Sequence, residues 1–238
     1  MRSRSPIVLP IKPNLAYEER LWGEGYRVIA GLDEAGRGAW AGPVYAAAVA
    51  LPNDERVCEV LDGVRDSKQM TARQRERYEG CIKSVSIAWA VGSASETEID
   101  QLGIVPATCL AMQRAIDDLV YPPNHLLIDY ISLQDCACPQ LSLPKGDCQS
   151  LSIAAASVLA KTARDAFMVK QDALYPGYGF ARHKGYGTAQ HQAALKSLGA
   201  TPFHRKTFKP IRELPSPQAL SRAREREFNS SPQRGEAR

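Results

Sequence analysis

The stretch Arg27-Val28-Ile29-Ala30-Gly31-Leu32-Asp33-Glu34-Ala35-Gly36-Arg37-Gly38 joins an apolar run to two acids and an arginine set between glycines. Its first part, Arg27 to Asp33, predicts a buried strand stopped by the turn at Gly36 and Gly38. Val44 to Leu51 is small and β-branched, with Pro43 before it and Pro52 after it, and predicts the next strand. Two strands with a glycine-rich link predict a hairpin.

Outward from this hairpin the chain alternates in character. Thr71-Ala72-Arg73-Gln74 is a capping box that opens a charged helix, and Ser95-Glu96-Thr97-Glu98 is a second. Between them, Val85, Ile87, Trp89 and Val91 alternate and predict a third strand over 84–92. A helix is expected from Pro106 to Val120, and a short strand from His125 to Asp129. Ser150 to Lys170 predicts a long helix in which Ile153, Ala156, Ala160, Ala163 and Phe167 form a core-facing stripe. A last helix runs from Thr188 to Ser197 and stops at Gly199. Strands early and helices late around one mixed sheet argue for an α/β domain.

At the N-terminal end, Tyr17 to Trp22 reads as a single helical turn, and the ordered body is expected to start near Tyr26. This makes residues 1–25 an extension, 26–212 the folded domain and 213–238 a disordered tail.

The chain has 238 residues, 44% of them apolar and 24% charged, the balance of an ordinary globular protein rather than a disordered one. Its longest strictly apolar run, Val44 to Leu51, is eight residues, against the roughly 20 that a spanning helix needs. The basic start, Met1 to Pro6, leads only into Ile7-Val8-Leu9 before Pro10 and Lys12, too short for a secretory core, so a cytoplasmic protein is expected. The six cysteines include no CxxC pair and are read as free thiols. From Arg205 to Arg238 there are nine Lys or Arg and four Asp or Glu, so this end carries an excess of five positive charges over a nearly neutral body. A basic end fits an anionic partner such as nucleic acid, or a merely solubilising terminus.

Four acids sit at element boundaries: Asp33 and Glu34 at the end of the first strand, Asp129 at the end of another, and Asp147 just ahead of the long helix. Strand ends on one edge of a sheet are where α/β sites gather. Clustered carboxylates repel and need a cation, and hard oxygen ligands suit Mg²⁺ or Mn²⁺. Two such ions about 4 Å apart serve phosphodiester cleavage. Plainer readings stand beside this one. Asp147 caps the long helix, Asp129 forms a turn, and Asp165 pairs on a solvated face with Lys161 four residues earlier. Asp33 and Glu34 are neighbours on a strand and point to opposite faces unless the strand breaks there.

Glycines on both sides of Arg37 let backbone approach a ligand while the guanidinium meets phosphate, or else make a plain turn. His183-Lys184-Gly185-Tyr186-Gly187-Thr188 combines a base and an aromatic ring in a flexible loop, with Tyr186 suited to stacking and Lys184 to phosphate. Asp66-Ser67-Lys68 and His204-Arg205-Lys206 offer further phosphate contacts, and each of these also reads as an ordinary surface loop. There is no GxGxxG, Walker P-loop, HExxH or GxSxG pattern.

Taken in order, Gly31 to Gly38 with Gly42-Pro43, Asp66-Ser67-Lys68, the strand ending at Asp129, Lys145-Gly146-Asp147, Ile153 to Lys161, Arg164-Asp165, His183 to Thr188, His191 and His204-Arg205 resemble the ribonuclease HII family over roughly residues 26–212. The resemblance implies a ribonuclease H-like mixed central sheet flanked by helices, with a C-terminal helical region. It implies cleavage of RNA in RNA–DNA hybrids and on the 5′ side of single ribonucleotides embedded in duplex DNA, leaving 5′-phosphate and 3′-hydroxyl ends. Asp33, Glu34, Asp129 and Asp147 are then the catalytic carboxylates that hold Mn²⁺ or Mg²⁺, two ions during catalysis. Gly36, Arg37 and Gly38 read the 2′-hydroxyl and the junction, Tyr186 stacks on the next deoxyribose, and Ser67, Lys68 and Lys184 contact substrate. A monomer is expected.

Two positions depart from the family pattern. Tyr130 stands where Gly usually follows the third carboxylate, and Gly103 stands where Asn is usual. The related ribonuclease HIII carries an extra N-terminal domain, for which about 25 residues before the first strand leave no room. The alternative from another class is a nucleic-acid binder without catalysis, working through the basic end and the aromatic loop. A third possibility makes the tail an auxiliary contact on a working enzyme.

Overall fold

The computed structural model describes residues 10–215. Most of the expected basic tail, 216–238, lies outside the described residues, as do residues 1–9. The chain divides into two units, one of residues up to 38 with 43–167, the other of 39–42 with the residues from 168 onward.

The first unit holds β1 (Ile29–Ala35), β2 (Val44–Ala50), β3 (Ala88–Ala94), β4 (His125–Asp129) and β5 (Gln140–Leu143). They form one mixed sheet in the order β3-β2-β1-β4-β5. β1 and β2 make the expected antiparallel hairpin, β3 continues it antiparallel, and β4 and β5 run parallel to β1. The helices are α1 (Ala16–Gly23), α2 (Arg56–Val60), α3 (Ala72–Val85), α4 (Glu96–Leu102), α5 (Ile104–Asp117) and most of α6 (Leu151–Leu174).

Small residues set how closely helices approach the sheet. A Cβ on Gly31 of β1 would lie 2.3 Å from the Ser152 carbonyl carbon and 2.4 Å from the Ile153 nitrogen of α6. The sheet therefore touches helix backbone at that point. On the other face, a Cβ on Gly92 of β3 would lie 2.2 Å from the Ala111 carbonyl oxygen of α5. The pairings Gly31↔Val49 and Glu34↔Ala46↔Gly92 put Gly31 and Gly92 on opposite faces. The α6 face packs Ala47, Val49 and Leu51 against Ala154, Ala155 and Val158. Leu151 to Ala160 is buried on every side, beyond the expected stripe, and the stripe's own Ala163 and Phe167 are only half-buried.

The α6 N-terminus is closed by α1. Buried Glu18 accepts from the Ser152 amide (3.0 Å) and from the hydroxyls of Ser150 and Ser152 (2.6 Å each). Burial raises the Glu18 pKa, and these hydrogen bonds hold it down in part. Ordered structure thus extends well before Tyr26, through α1 to the bridge between Asn14 and Ser150, and a carboxylate needed at the α6 end is supplied from there.

Further differences from the sequence reading lie at β3 and β5. Val85 ends α3, and β3 starts only at Ala88, with the small residues Ala88, Ala90, Gly92 and Ala94 as its more buried set and Trp89 half-exposed under the Lys83 ammonium. β5 was not expected; it is four residues long and half-buried. Both capping boxes form, at Thr71/Gln74 and Ser95/Glu98.

The second unit carries α7 (Phe180–His183), α8 (Ala189–Leu198) and α9 (Lys209–Arg212), the expected C-terminal helical region. Thr188 caps α8 and Gly199 ends it, as the sequence predicts. A buried chain of imidazoles fixes the loop before α8. The Thr201 amide can only donate to His204 Nδ1 (3.0 Å), so His204 donates from Nε2 to His191 Nε2 (3.0 Å). His191 then donates from Nδ1 to the Tyr186 carbonyl (3.0 Å). Both rings must be neutral for this relay.

Burial lowers both pKa values from 6.5 to about 4. His183 adds to the effect at His191, and His191 adds to it at His204. An unfolded chain takes up protons on these rings between pH 6.5 and 4 that the folded chain refuses. Their contribution to stability is therefore complete above pH 6.5 and is lost as pH falls toward 4. Imidazole NMR should find both rings neutral at about pH 5.5; midpoints near the ordinary histidine value would contradict the relay.

Gly31→Ala should cost about 1–3 kcal/mol by overpacking, read as a drop in Tm. Gly23→Ala is the control, since a Cβ there meets nothing within 4 Å, and it should leave Tm nearly unchanged.

Candidate active site

Three strand and turn ends meet at one edge of the sheet. β1 pairs with β4 only as far as Leu32↔Ile128, while its antiparallel pairing with β2 continues to Ala35↔Tyr45. Asp33 and Glu34 therefore sit past the end of the β4 ladder. β1 does not break between them, and the chain turns only at Gly36, with φ +97°. The two side chains point to opposite faces, Asp33 toward α6 and Glu34 toward α5, so they approach a common edge from two sides.

Asp33 is 2% exposed. Its Oδ1 accepts from the Glu34 amide at 2.7 Å, and Ser157 of α6 stands beside the carboxylate. Glu34 Oε1 accepts from Arg37 Nη1 at 3.1 Å. Asp129 Oδ1 accepts from the Gly146 amide at 2.7 Å, which ties the end of β4 to the 3₁₀ turn Gly146–Cys148. That turn carries Asp147, which is buried. Asp147 does not cap the long helix, because the Ile153 amide donates to the Ser150 hydroxyl instead, at 3.3 Å. Asp129 does serve as a turn former, and in doing so it places Asp147.

The electrostatics bind these groups into one set. Burial, then the charges of Glu34 and Asp129, push the Asp33 pKa well up. Burial raises Asp129, with Glu34 and Asp66 adding to it. Burial raises Asp147, with Asp129 and Asp66 adding to it. At Lys68, partial desolvation pulls the ammonium pKa down, but Asp33, Asp66, Asp147 and Glu34 outweigh it and leave the pKa above the ordinary value. Asp66 caps the 3₁₀ turn Ser67–Gln69 by accepting from the Lys68 amide at 2.9 Å.

Among the described residues, no three His, Cys, Asp or Glu side chains are gathered into a ready ion-holding set. The fit to a cation rests on two other observations. Asp33 Oδ2 and Glu34 Oε2 are buried and have no hydrogen-bond partner, and the carboxylates around them destabilise one another's charge. A hard divalent cation satisfies both conditions.

Ser67 is buried, and its hydroxyl accepts from Ser157 at 2.9 Å, so its side chain faces α6. Arg75, which sequence reading passed over, clamps the same turn by donating to the Ser67 and Met70 carbonyls (3.0 and 2.5 Å). Asp165 pairs with Lys161 (2.6 Å) as expected, but also with Arg75 (3.1 Å), and the group is largely buried rather than solvated. Lys184 and Tyr186 belong to the second unit. Lys184 is left-handed at φ +53° and donates to the Ala181 carbonyl, and Tyr186 is half-buried in the loop held by His191.

Arg164 is a further residue whose role is visible only in three dimensions. It is fully buried and donates from Nε to the Pro43 carbonyl at 3.0 Å. A Cβ on Gly36 would lie 2.0 Å from that same Nε. Gly36 is thus required twice over, for its backbone angle and for the guanidinium packed against it.

A family model described as Ribonuclease HII matches residues 30–211. The chain belongs to the ribonuclease HII family. A ribonuclease HII of Roseiflexus castenholzii is 54% identical over 202 residues, covering 84% of this chain and 89% of the relative. Among solved structures, ribonuclease H2 from Pyrococcus horikoshii superposes with a TM-score of 0.67 at 23% identity, over 86% of this chain and 100% of that one. Bst-RNase HIII in complex with Mn²⁺ superposes with a TM-score of 0.62 at 20% identity, over 84% of this chain and 71% of that one. The fold is accordingly that of the type 2 ribonucleases H. As a ribonuclease HII family member, the chain is an endoribonuclease of the ribonuclease H class, acting on RNA in RNA–DNA hybrids.

Gly36→Ala should force the 36–38 turn to move, costing about 1–3 kcal/mol of backbone strain, seen as a lower Tm. Binding of a labelled hybrid should weaken in parallel; an unchanged Tm would mean that Arg164 yields without consequence.

Proposed function

We propose that the enzyme hydrolyses RNA in RNA–DNA hybrids and also cuts 5′ of single ribonucleotides embedded in duplex DNA, leaving 5′-phosphate and 3′-hydroxyl ends. The observation that carries this reading is the convergence of Asp33, Glu34, Asp129 and Asp147 on one sheet edge, with two buried oxygens left without a donor. These four residues would hold Mn²⁺ or Mg²⁺. Bound divalent ions supply charge neutralisation and water activation in phosphodiester hydrolysis.

The chain's own residues do the rest. Arg37, steadied by Glu34, is placed to bind a phosphate oxygen. The turn that starts at Gly36 ends at the exposed Gly38, and its backbone amide and carbonyl groups would pair with a 2′-hydroxyl, which is both donor and acceptor. Lys68, exposed and strongly cationic beside the carboxylates, meets the backbone of the bound strand. Tyr186 offers a ring to the deoxyribose beyond the junction, and Lys184 a charge to its phosphate. Ser67 supports Lys68 through the turn they share.

Residues 26–212 are the catalytic part in this reading. Six free thiols support a reducing, cytoplasmic location, and a monomer suffices for the reaction. No helix among the described residues is long and apolar enough to cross a membrane.

The test is a labelled DNA duplex holding one ribonucleotide, with Mn²⁺ or Mg²⁺ and an all-DNA control. Cleavage on the 5′ side of the ribonucleotide is expected, with the control intact. Asp33→Asn should lower turnover by several powers of ten while hybrid binding survives. Full activity in that variant would remove Asp33 from the site.

A further inference from the structure

Tyr130 directly follows the site carboxylate Asp129 and has φ +61°, a conformation that disfavours a bulky side chain. Hydrogen bonds on both sides hold the backbone there: the Tyr130 amide donates to the Leu143 carbonyl (3.0 Å), and the Ile131 amide to the Asp129 carbonyl (2.6 Å). The fold imposes the angle, but it has little use for the ring. Tyr130 is 71% exposed, among the most exposed large apolar or aromatic residues of the described chain.

The ring lies on the wall of a cavity of about 700 Å³ between the segment that leaves β4 and helix α5. Val105, Pro106, Cys109 and Leu110 line the α5 side, and Arg37 comes in from the Gly36–Gly38 turn. Arg37 in turn reaches Glu34. A flat exposed ring and a guanidinium therefore line one concave surface within the first unit, and each adjoins a site carboxylate, Tyr130 next to Asp129 in the chain and Arg37 hydrogen-bonded to Glu34. Arginine with an aromatic platform is the chemistry of nucleotide recognition, the cation for phosphate and the ring for a flat or CH-rich face. In an intact duplex the bases are stacked inside, so the face open to such a ring is a sugar.

We propose that Tyr130 is a substrate-positioning residue, its ring packing on a sugar of the strand whose phosphate Arg37 contacts, on the α5 side of the site. This rests on the reading of the 33/34/129/147 edge as the nuclease centre. The ring adds affinity and fixes strand position; it takes no part in proton or phosphoryl transfer. A strained tyrosine retained beside the carboxylates is then explained by what it binds.

The experiment compares wild type, Tyr130→Phe and Tyr130→Gly. Fluorescence anisotropy with a fluorescein-labelled duplex holding one ribonucleotide, in buffer without divalent ions, reads the contact independently of cleavage. Tyr130→Gly should bind about three- to tenfold more weakly, the range of one aromatic contact. Its Tm should be equal or higher, because glycine accepts the positive φ without strain. Tyr130→Phe should bind like wild type. With Mn²⁺ or Mg²⁺ present, KM of the glycine variant should rise in the same proportion, with kcat within about twofold.

Equal affinities for wild type and Tyr130→Gly would overturn the proposal. So would weakened binding in the glycine variant accompanied by a fall in Tm, since that marks a structural role. A wild-type protein that binds the duplex yet cuts nothing would defeat the nuclease reading, and the anisotropy comparison would still decide the role of the ring.

Discussion

The first unit depends on one contact, the backbone of α6 laid directly on β1 at Gly31, where no side chain fits between them. That contact makes the first turns of α6 buried all round, which is why residues 151–160 consist of Leu, Ile, Val, Ala and Ser. It brings Ser157 beside Asp33 and Ser67, and two turns further along the same helix it brings Arg164 to the back of Gly36. It also leaves the start of α6 inside the protein, where Glu18 and Ser150 satisfy amides that water cannot reach. A single missing Cβ thus sets the position of the candidate carboxylate, of the turn that carries Lys68 and of the Gly-Arg-Gly loop.

Against this close packing stands electrostatic frustration. Four acids with Asp66 beside them crowd one edge, and burial together with mutual repulsion raises the pKa of Asp33, Asp129 and Asp147. Native interiors rarely tolerate such a group without compensation. Some is internal, through Arg37, Lys68 and the Gly146 amide. The orphaned oxygens of Asp33 and Glu34 mark where it is incomplete. The β4 end and the 3₁₀ turn that carries Asp147 are tied together by the hydrogen bond from the Gly146 amide to Asp129, which fixes two of these charges in place.

Much of this was legible in local sequence. Capping boxes at Thr71 and Ser95 were readable because both partners lie within one turn. The β1/β2 hairpin and β4 were readable because apolar runs end on Gly, Pro or Asp. What failed locally failed for a tertiary reason. The alternation of Val85, Ile87, Trp89 and Val91 gave the bulky residues of a strand, but the close approach of α5 at Gly92 makes the small residues of β3 the buried set. β5 has four residues and a half-buried face, too little for periodicity to register. Asp147 has the composition of a cap, and only the position of Ser150 shows that the cap is elsewhere.

The family, most of the elements and the residue types of the site were readable from the sequence alone, because ordered blocks of Asp, Glu, Gly and Arg mark them. The sequence could not say how Asp33 and Glu34, pointing to opposite faces of one strand, come to share an edge. That was decided by the register of β4, which stops pairing at Leu32 and leaves the strand end open from both sides. Nor could it show that Gly36 is held by Arg164, or that Tyr130 stands exposed in a left-handed conformation beside Arg37. Those are contacts between residues far apart in the chain, and their geometry exists only once the sheet and α6 have closed on each other.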